Sequence, residues 1–148
     1  MDTYLPTLPP LAALVLFAVW AMLLVISIGI WRSALVFTGN AQANSFPSGT
    51  QHGGDRYWRV NRAHMNAVEN LPIFATLVLS GFYLQVQDPW FQFLPSLVLY
   101  ARIVQSLIHI ASGSGLAVTL RFLAYGVQLI AMFVLAYIVG KAAGVPFF

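Results

Sequence analysis

The chain has 148 residues, 59% hydrophobic and 7% charged, whereas a soluble domain carries about 25% charged residues. A water-exposed globule is excluded, and the apolar stretches leave no room for a separate soluble domain, so one membrane domain over residues 1–148 is expected. Seven basic and four acidic residues are too sparse for the basic stripe of a nucleic-acid binder, and the absence of cysteine excludes disulfides, thiolate metal sites and a protein thiol nucleophile.

From Pro10 to Trp31 the only polar side chain is Ser27, which predicts a first helix over 10–31, about 30 Å long and able to cross a bilayer. Before it stand Asp2 and no Lys or Arg, unlike a signal peptide, so this helix is expected to be retained. Arg32 follows, and residues 38–54 are rich in Gly, Asn, Ser and Gln, a solvated loop. A second helix is expected over 55–85, polar in its first three turns and apolar thereafter. Asp88-Pro89 marks a short turn into a third helix over 90–111, in which Pro95 sits early enough to kink rather than end it. The break at Ser112-Gly113-Ser114-Gly115 leads to a fourth helix over 116–139 and a short tail over 140–148. Short connections make neighbours antiparallel, and the expected fold is an all-α integral membrane four-helix bundle.

Arg32, Arg56, Arg59 and Arg121 lie on the side of the first and third connections, and Lys141 on the other, which places both termini on the non-cytoplasmic side. Trp20, Trp31, Tyr57, Trp58 and Trp90 are expected as aromatic anchors at the membrane interfaces.

Ionisable groups inside a membrane helix are costly and avoid lipid. At 100° per residue, Arg59, Arg62, Asn66 and Glu69 fall within an arc of about 80° on the second helix. Arg102, Gln105 and His109 share a face of the third, and Arg121, Tyr125 and Gln128 a face of the fourth. Three stripes must therefore face one another or another subunit across a wet cavity. Ion pairs that merely fix helix packing are one reading, but four arginines against a single carboxylate leave an excess of positive charge, which suits an anion site better. His64 points away from the stripe, His52 lies in the loop, and the three histidines lack a metal-ligand spacing, so no metal is expected.

The run Arg59-Val60-Asn61-Arg62-Ala63-His64-Met65-Asn66-Ala67-Val68-Glu69-Asn70-Leu71-Pro72 resembles the signature of the MAPEG family, the membrane-associated proteins in eicosanoid and glutathione metabolism. The four helices and the polar first loop extend the resemblance over nearly the whole chain, and loop length and His52-Gly53-Gly54 resemble bacterial members. The resemblance implies a homotrimer in the bacterial inner membrane, with glutathione as co-substrate held between neighbouring subunits on the cytoplasmic side. On the matching positions, Arg62 would hold a glutathione carboxylate, Asn66 its backbone and Glu69 its γ-glutamyl amino group. Arg59, Arg32 and Arg102 match further family arginines, and His109 stands where animal synthases commonly have a glutathione-contacting tyrosine. Arg121 and Tyr125 match the pair that frames the thiol, which makes Arg121 the candidate catalytic residue. Phe122 and Met65 depart from the prostaglandin-E synthase pattern and disfavour that activity.

The expected activity is a membrane glutathione transferase or glutathione-dependent peroxidase acting on a lipophilic small molecule that arrives through the lipid. A fixed arginine stabilises the thiolate of a thiol whose ordinary pKa is about 8.5. The alternatives are a non-catalytic lipid-binding or accessory relative, and a proton or ion relay through Glu69, Arg102 and His109. The relay lacks a second acidic group in the core.

Overall fold

The computed structural model describes residues 7–47 and 49–146. Asp2, Ser48 of the polar loop and the last two residues of the tail lie outside the described residues.

Four helices make up the described chain: α1 Pro10–Phe37, α2 Asp55–Tyr83, α3 Pro89–Ala111 and α4 Gly115–Ala142. Three starts carry a recognisable local cause. Pro10 occupies the first turn of α1, where its missing N–H costs no hydrogen bond. The Asp88 carboxylate accepts from Trp90 N at 2.8 Å, and the Ser114 hydroxyl accepts from Ala117 N at 3.3 Å.

Three helix ends differ from expectation, the second helix stopping at Tyr83, two residues short of the expected 85. The first helix continues six residues past Trp31, through the apolar run Ala34–Phe37, and stops at Thr38, where Gly39 takes a left-handed φ of +74°. The fourth runs three residues past Val139, so the expected tail begins inside a helix, and Gly144 at φ +74° follows its end. An apolar segment continues as a helix until a residue able to reverse the backbone is reached, and composition alone does not mark that point.

α2 and α3 form the centre of the bundle, each packing against all three other helices, whereas α1 and α4 do not touch. Buried small residues let the backbones approach: Ala13 and Ala21 on α1, Ala63 and Ala67 on α2, Ala131 on α4. Gly81 is the extreme case, because a Cβ there would lie 2.1 Å from Phe91 Cε2. Phe17 and Phe74 meet with ring centroids 5.2 Å apart at the α1–α2 contact.

α1, α3 and α4 are each long and apolar enough to cross a membrane. α2 has the length, 29 residues, but its polar half keeps it out of that class by composition. It is nevertheless central in the bundle, and the outward faces of α1 and α4 carry Val15, Ile30, Ile130 and Phe133 in the open. Such surfaces are stable against lipid and not against water. The protein is an all-helical integral membrane bundle.

Candidate functional site

A pocket of about 240 Å³ opens where α2, α3 and α4 meet, at the end of the bundle that carries the turn between α3 and α4. Each helix contributes residues one turn apart, the spacing that puts two side chains on one face. α2 supplies Arg62 and Asn66, α3 supplies Gln105 and His109, and α4 supplies Arg121 and Tyr125, with Val118 and Phe122 as the apolar wall. A larger cavity, about 820 Å³, lies at the opposite end beside Pro9, Gly81, Gln85 and Phe91. Among the described residues its lining holds no charged one, so volume alone does not locate the chemistry.

Behind the pocket runs a buried polar network. Arg102, 0% exposed, donates from Nη1 to Gln105 Oε1 at 2.7 Å. Gln128, also 0% exposed, donates from Nε2 to the same oxygen at 3.1 Å and to the Ala124 carbonyl at 3.2 Å. With its oxygen engaged by two donors, Gln105 keeps its own NH₂ group for the pocket it lines. The Arg102 guanidinium lies 5.7 Å from the Phe17 ring centroid, a cation–π contact, while its Nε and Nη2 and the Gln128 Oε1 are buried without a partner. Glu69 is close enough to act on Arg102 electrostatically.

On the rim, Arg121 Nη1 hydrogen-bonds His109 Nδ1. Arg59 donates from Nε to the Ile110 carbonyl at 3.2 Å, placing a cation at the C-terminal end of α3, where the unpaired carbonyls and the helix dipole favour it. The side chains of Arg62, Asn66 and Tyr125 make no hydrogen bond among the described residues, and no ion pair joins Glu69 to an arginine. The charge excess is therefore not neutralised by packing pairs, since Arg62 and Arg121 line the pocket and no carboxylate does.

The structure thus brings together Arg62, Asn66, His109, Arg121 and Tyr125, sets Arg102 behind them through Gln105, and puts Arg59 beside them at the end of α3. Glu69 and Arg32 do not line this pocket. Glu69 is exposed on α2, about two turns beyond Arg62.

Arg32 belongs to a second cluster on the α1–α2 side. Its Nε donates to Tyr57 Oη at 2.6 Å, and its guanidinium lies 5.2 Å from the Phe46 centroid. His52 contacts the same hydroxyl from Nε2 at 3.1 Å and packs against Phe46, Tyr57 and Trp58. Tyr57 is 2% exposed, so it is a core residue rather than an interface anchor. Trp20 likewise turns inward, donating from Nε1 to Ser106 Oγ at 3.2 Å. In both, a partner inside the protein satisfies the polar end, which outweighs the general preference of such residues for the interface.

Gln105 is the polar pocket residue to which sequence reasoning assigned no role. The signal was its position one turn before His109 on the same stripe. No group of three or more metal-ligating side chains exists among the described residues.

Comparison with curated proteins gives no match. The sequence model of the MAPEG family matches residues 10–141, from the first residue of α1 to the last turn of α4, with the arginine-lined pocket inside the matched span. The chain belongs to the MAPEG family, membrane proteins of eicosanoid and glutathione metabolism.

Proposed function

We propose that this protein is a membrane glutathione transferase or glutathione-dependent peroxidase acting on lipophilic electrophiles. The supporting observation is the pocket itself: two arginines, a histidine, two amides and a phenol converge on one opening, and no carboxylate lines it. That set suits a small anion bearing a thiol. Arg62 takes a glutathione carboxylate, Asn66 hydrogen-bonds its peptide backbone, and the exposed Glu69 receives the γ-glutamyl amino group. Arg59 and Arg102 hold the end of α3 and the pocket floor in place. Arg121, with Tyr125 one turn on, faces the sulfur and favours its thiolate, the form that acts as nucleophile.

The pocket of one chain, about 240 Å³, is smaller than the roughly 300–1,000 Å³ typical of small-molecule sites. Arg62 and Glu69 are exposed on the single chain, and α1 leaves that side of α4 uncovered. Both features support a homotrimer in which a neighbouring subunit completes the site, with Arg32 reaching it from the adjacent chain. The whole chain is then one membrane domain in a bacterial inner membrane, with both termini non-cytoplasmic and the pocket toward the cytoplasm.

With a chloronitrobenzene acceptor, the thiol proton passes to solvent, the thiolate forms the C–S bond, and the C–Cl bond breaks with its electron pair leaving on chloride. The test is conjugation by the purified protein with glutathione and this acceptor, wild type against Arg121→Ala. Glutathione should raise a thiolate absorbance in the wild type and not in the variant. Equal rates in the two proteins contradict the role of Arg121, and no thiolate signal in the wild type contradicts the enzyme. A non-catalytic lipid-binding relative would show no measurable glutathione affinity.

A further inference from the structure

The contact between Arg121 and His109 fixes more than a distance. An arginine side chain has only donors, five N–H groups and no acceptor. The partner atom, His109 Nδ1, must therefore accept, and the ring carries its hydrogen on Nε2. His109 is buried, comes from α3 and spans to α4, so it ties the start of one helix to the end of the other across the pocket. The charged groups acting on its ring are Arg59 and Arg62 on α2 and Arg121 on α4.

We propose that His109 is the positioning residue for Arg121: its Nδ1 holds one guanidinium nitrogen, so that the remaining N–H groups of Arg121 stay directed at the pocket, and its Nε2–H is a further donor there. This rests on the proposed glutathione reading. A guanidinium has four rotatable bonds between it and the backbone, and an unrestrained one samples many orientations. An arginine that must meet a sulfur in one place needs such a restraint. The second donor follows from the tautomer, because Nε2 has no protein partner among the described residues and its ring lines the pocket. Gln105, one turn away and anchored by Arg102 and Gln128, presents its NH₂ group to the same space. Three donor-bearing residues from two helices thus line one pocket.

The experiment exploits side-chain geometry. Asparagine places its Oδ1 near the position of histidine Nδ1, and glutamine places its amide near that of Nε2. His109→Asn therefore keeps the acceptor for Arg121, His109→Gln loses it, and His109→Leu loses both nitrogens. The full-length protein in detergent is titrated with glutathione while thiolate absorbance is followed against pH, and glutathione affinity and chloronitrobenzene turnover are measured on the same samples.

We expect His109→Leu and His109→Gln to give about tenfold less thiolate than wild type at a given pH below the midpoint, equivalent to raising the bound thiol's pKa by about one. Glutathione affinity should change by less than about threefold, because the carboxylate contacts remain. His109→Asn should recover most of the thiolate. A wild-type thiolate signal left unchanged by His109→Leu overturns the positioning role and leaves the enzyme reading intact. Recovery by glutamine rather than asparagine overturns the assignment of Nδ1 as the working atom. Equal loss in all three variants also overturns it. Absence of a thiolate signal in the wild type overturns the proposed function and this inference with it.

Discussion

The same three residue types meet twice in this bundle. On the α2–α3–α4 side Arg121 contacts His109 with Tyr125 one turn away, and on the α1–α2 side Arg32 and His52 both contact the Tyr57 hydroxyl. The second group is closed on itself: the guanidinium lies over the Phe46 and Tyr57 rings, and the hydroxyl of a buried tyrosine is hydrogen-bonded to both Arg32 and His52. The first is open, with Arg62 and Asn66 uncommitted and a cavity between them. Residue identity does not make a site. Free donors facing a shared opening do, and among the described residues neither Arg62 nor Arg121 lies over an aromatic ring as Arg32 does.

The contrast is broken most forcefully at Arg121. Arg121→Ala should lower turnover by about 10²–10³-fold, the range for deleting one preorganised donor to developing negative charge. Arg121→Lys should recover only part of this, since an ammonium keeps the charge but not the planar fork that contacts His109 and the pocket together. Steady-state kinetics with the chloronitrobenzene acceptor decide it. Next in size is the floor of the pocket. Gln105→Leu leaves the Arg102 and Gln128 donors facing an apolar group. An orphaned buried donor costs about 1–3 kcal/mol, more when charged. A fall in Tm of several degrees in detergent is expected, and Gln105→Glu, which keeps an oxygen for both donors, should lose less.

Much of this was legible in the sequence, and for identifiable reasons. The three stripes were visible because helical periodicity is simple arithmetic, and the structure indeed brings Arg62, Asn66, His109, Arg121 and Tyr125 to one pocket. The starts of α3 and α4 were legible to within one residue from the Asp88-Pro89 turn and the break over residues 112–115. What could not be read was depth and partnership. Arg102 and Arg62 have the same side chain on similar stripes, yet one is sealed at 0% exposure and the other is open, because the Arg102 face of α3 is covered by its neighbours and the charged face of the equally central α2 is not. Tyr57 and Trp20 resemble interface anchors in composition, and only the contacts with Arg32 and Ser106 reveal them as interior. The role of Gln105 depends on two donors that approach from different helices, which no single helical wheel displays.

The closed cluster supplies the smaller effects, and these decide whether Arg32 has one role or two. Tyr57→Phe removes the hydroxyl that Arg32 and His52 share while keeping the ring that packs against His52 and Trp31. The loss should be about 1 kcal/mol, the net worth of such a bond, read as a drop of a few degrees in Tm, with turnover within about twofold of wild type. Arg32→Ala should show that loss and, through the proposed site between neighbouring subunits, a further rise of severalfold in the glutathione KM. The two variants share the broken hydrogen bond, so the difference between them isolates whatever Arg32 does beyond it. If their KM values coincide, Arg32 serves only to hold the 38–54 loop against α1 and α2. A KM raised in Arg32→Ala alone extends the glutathione site across two chains, with the open pocket of one subunit finished by the closed cluster of the next.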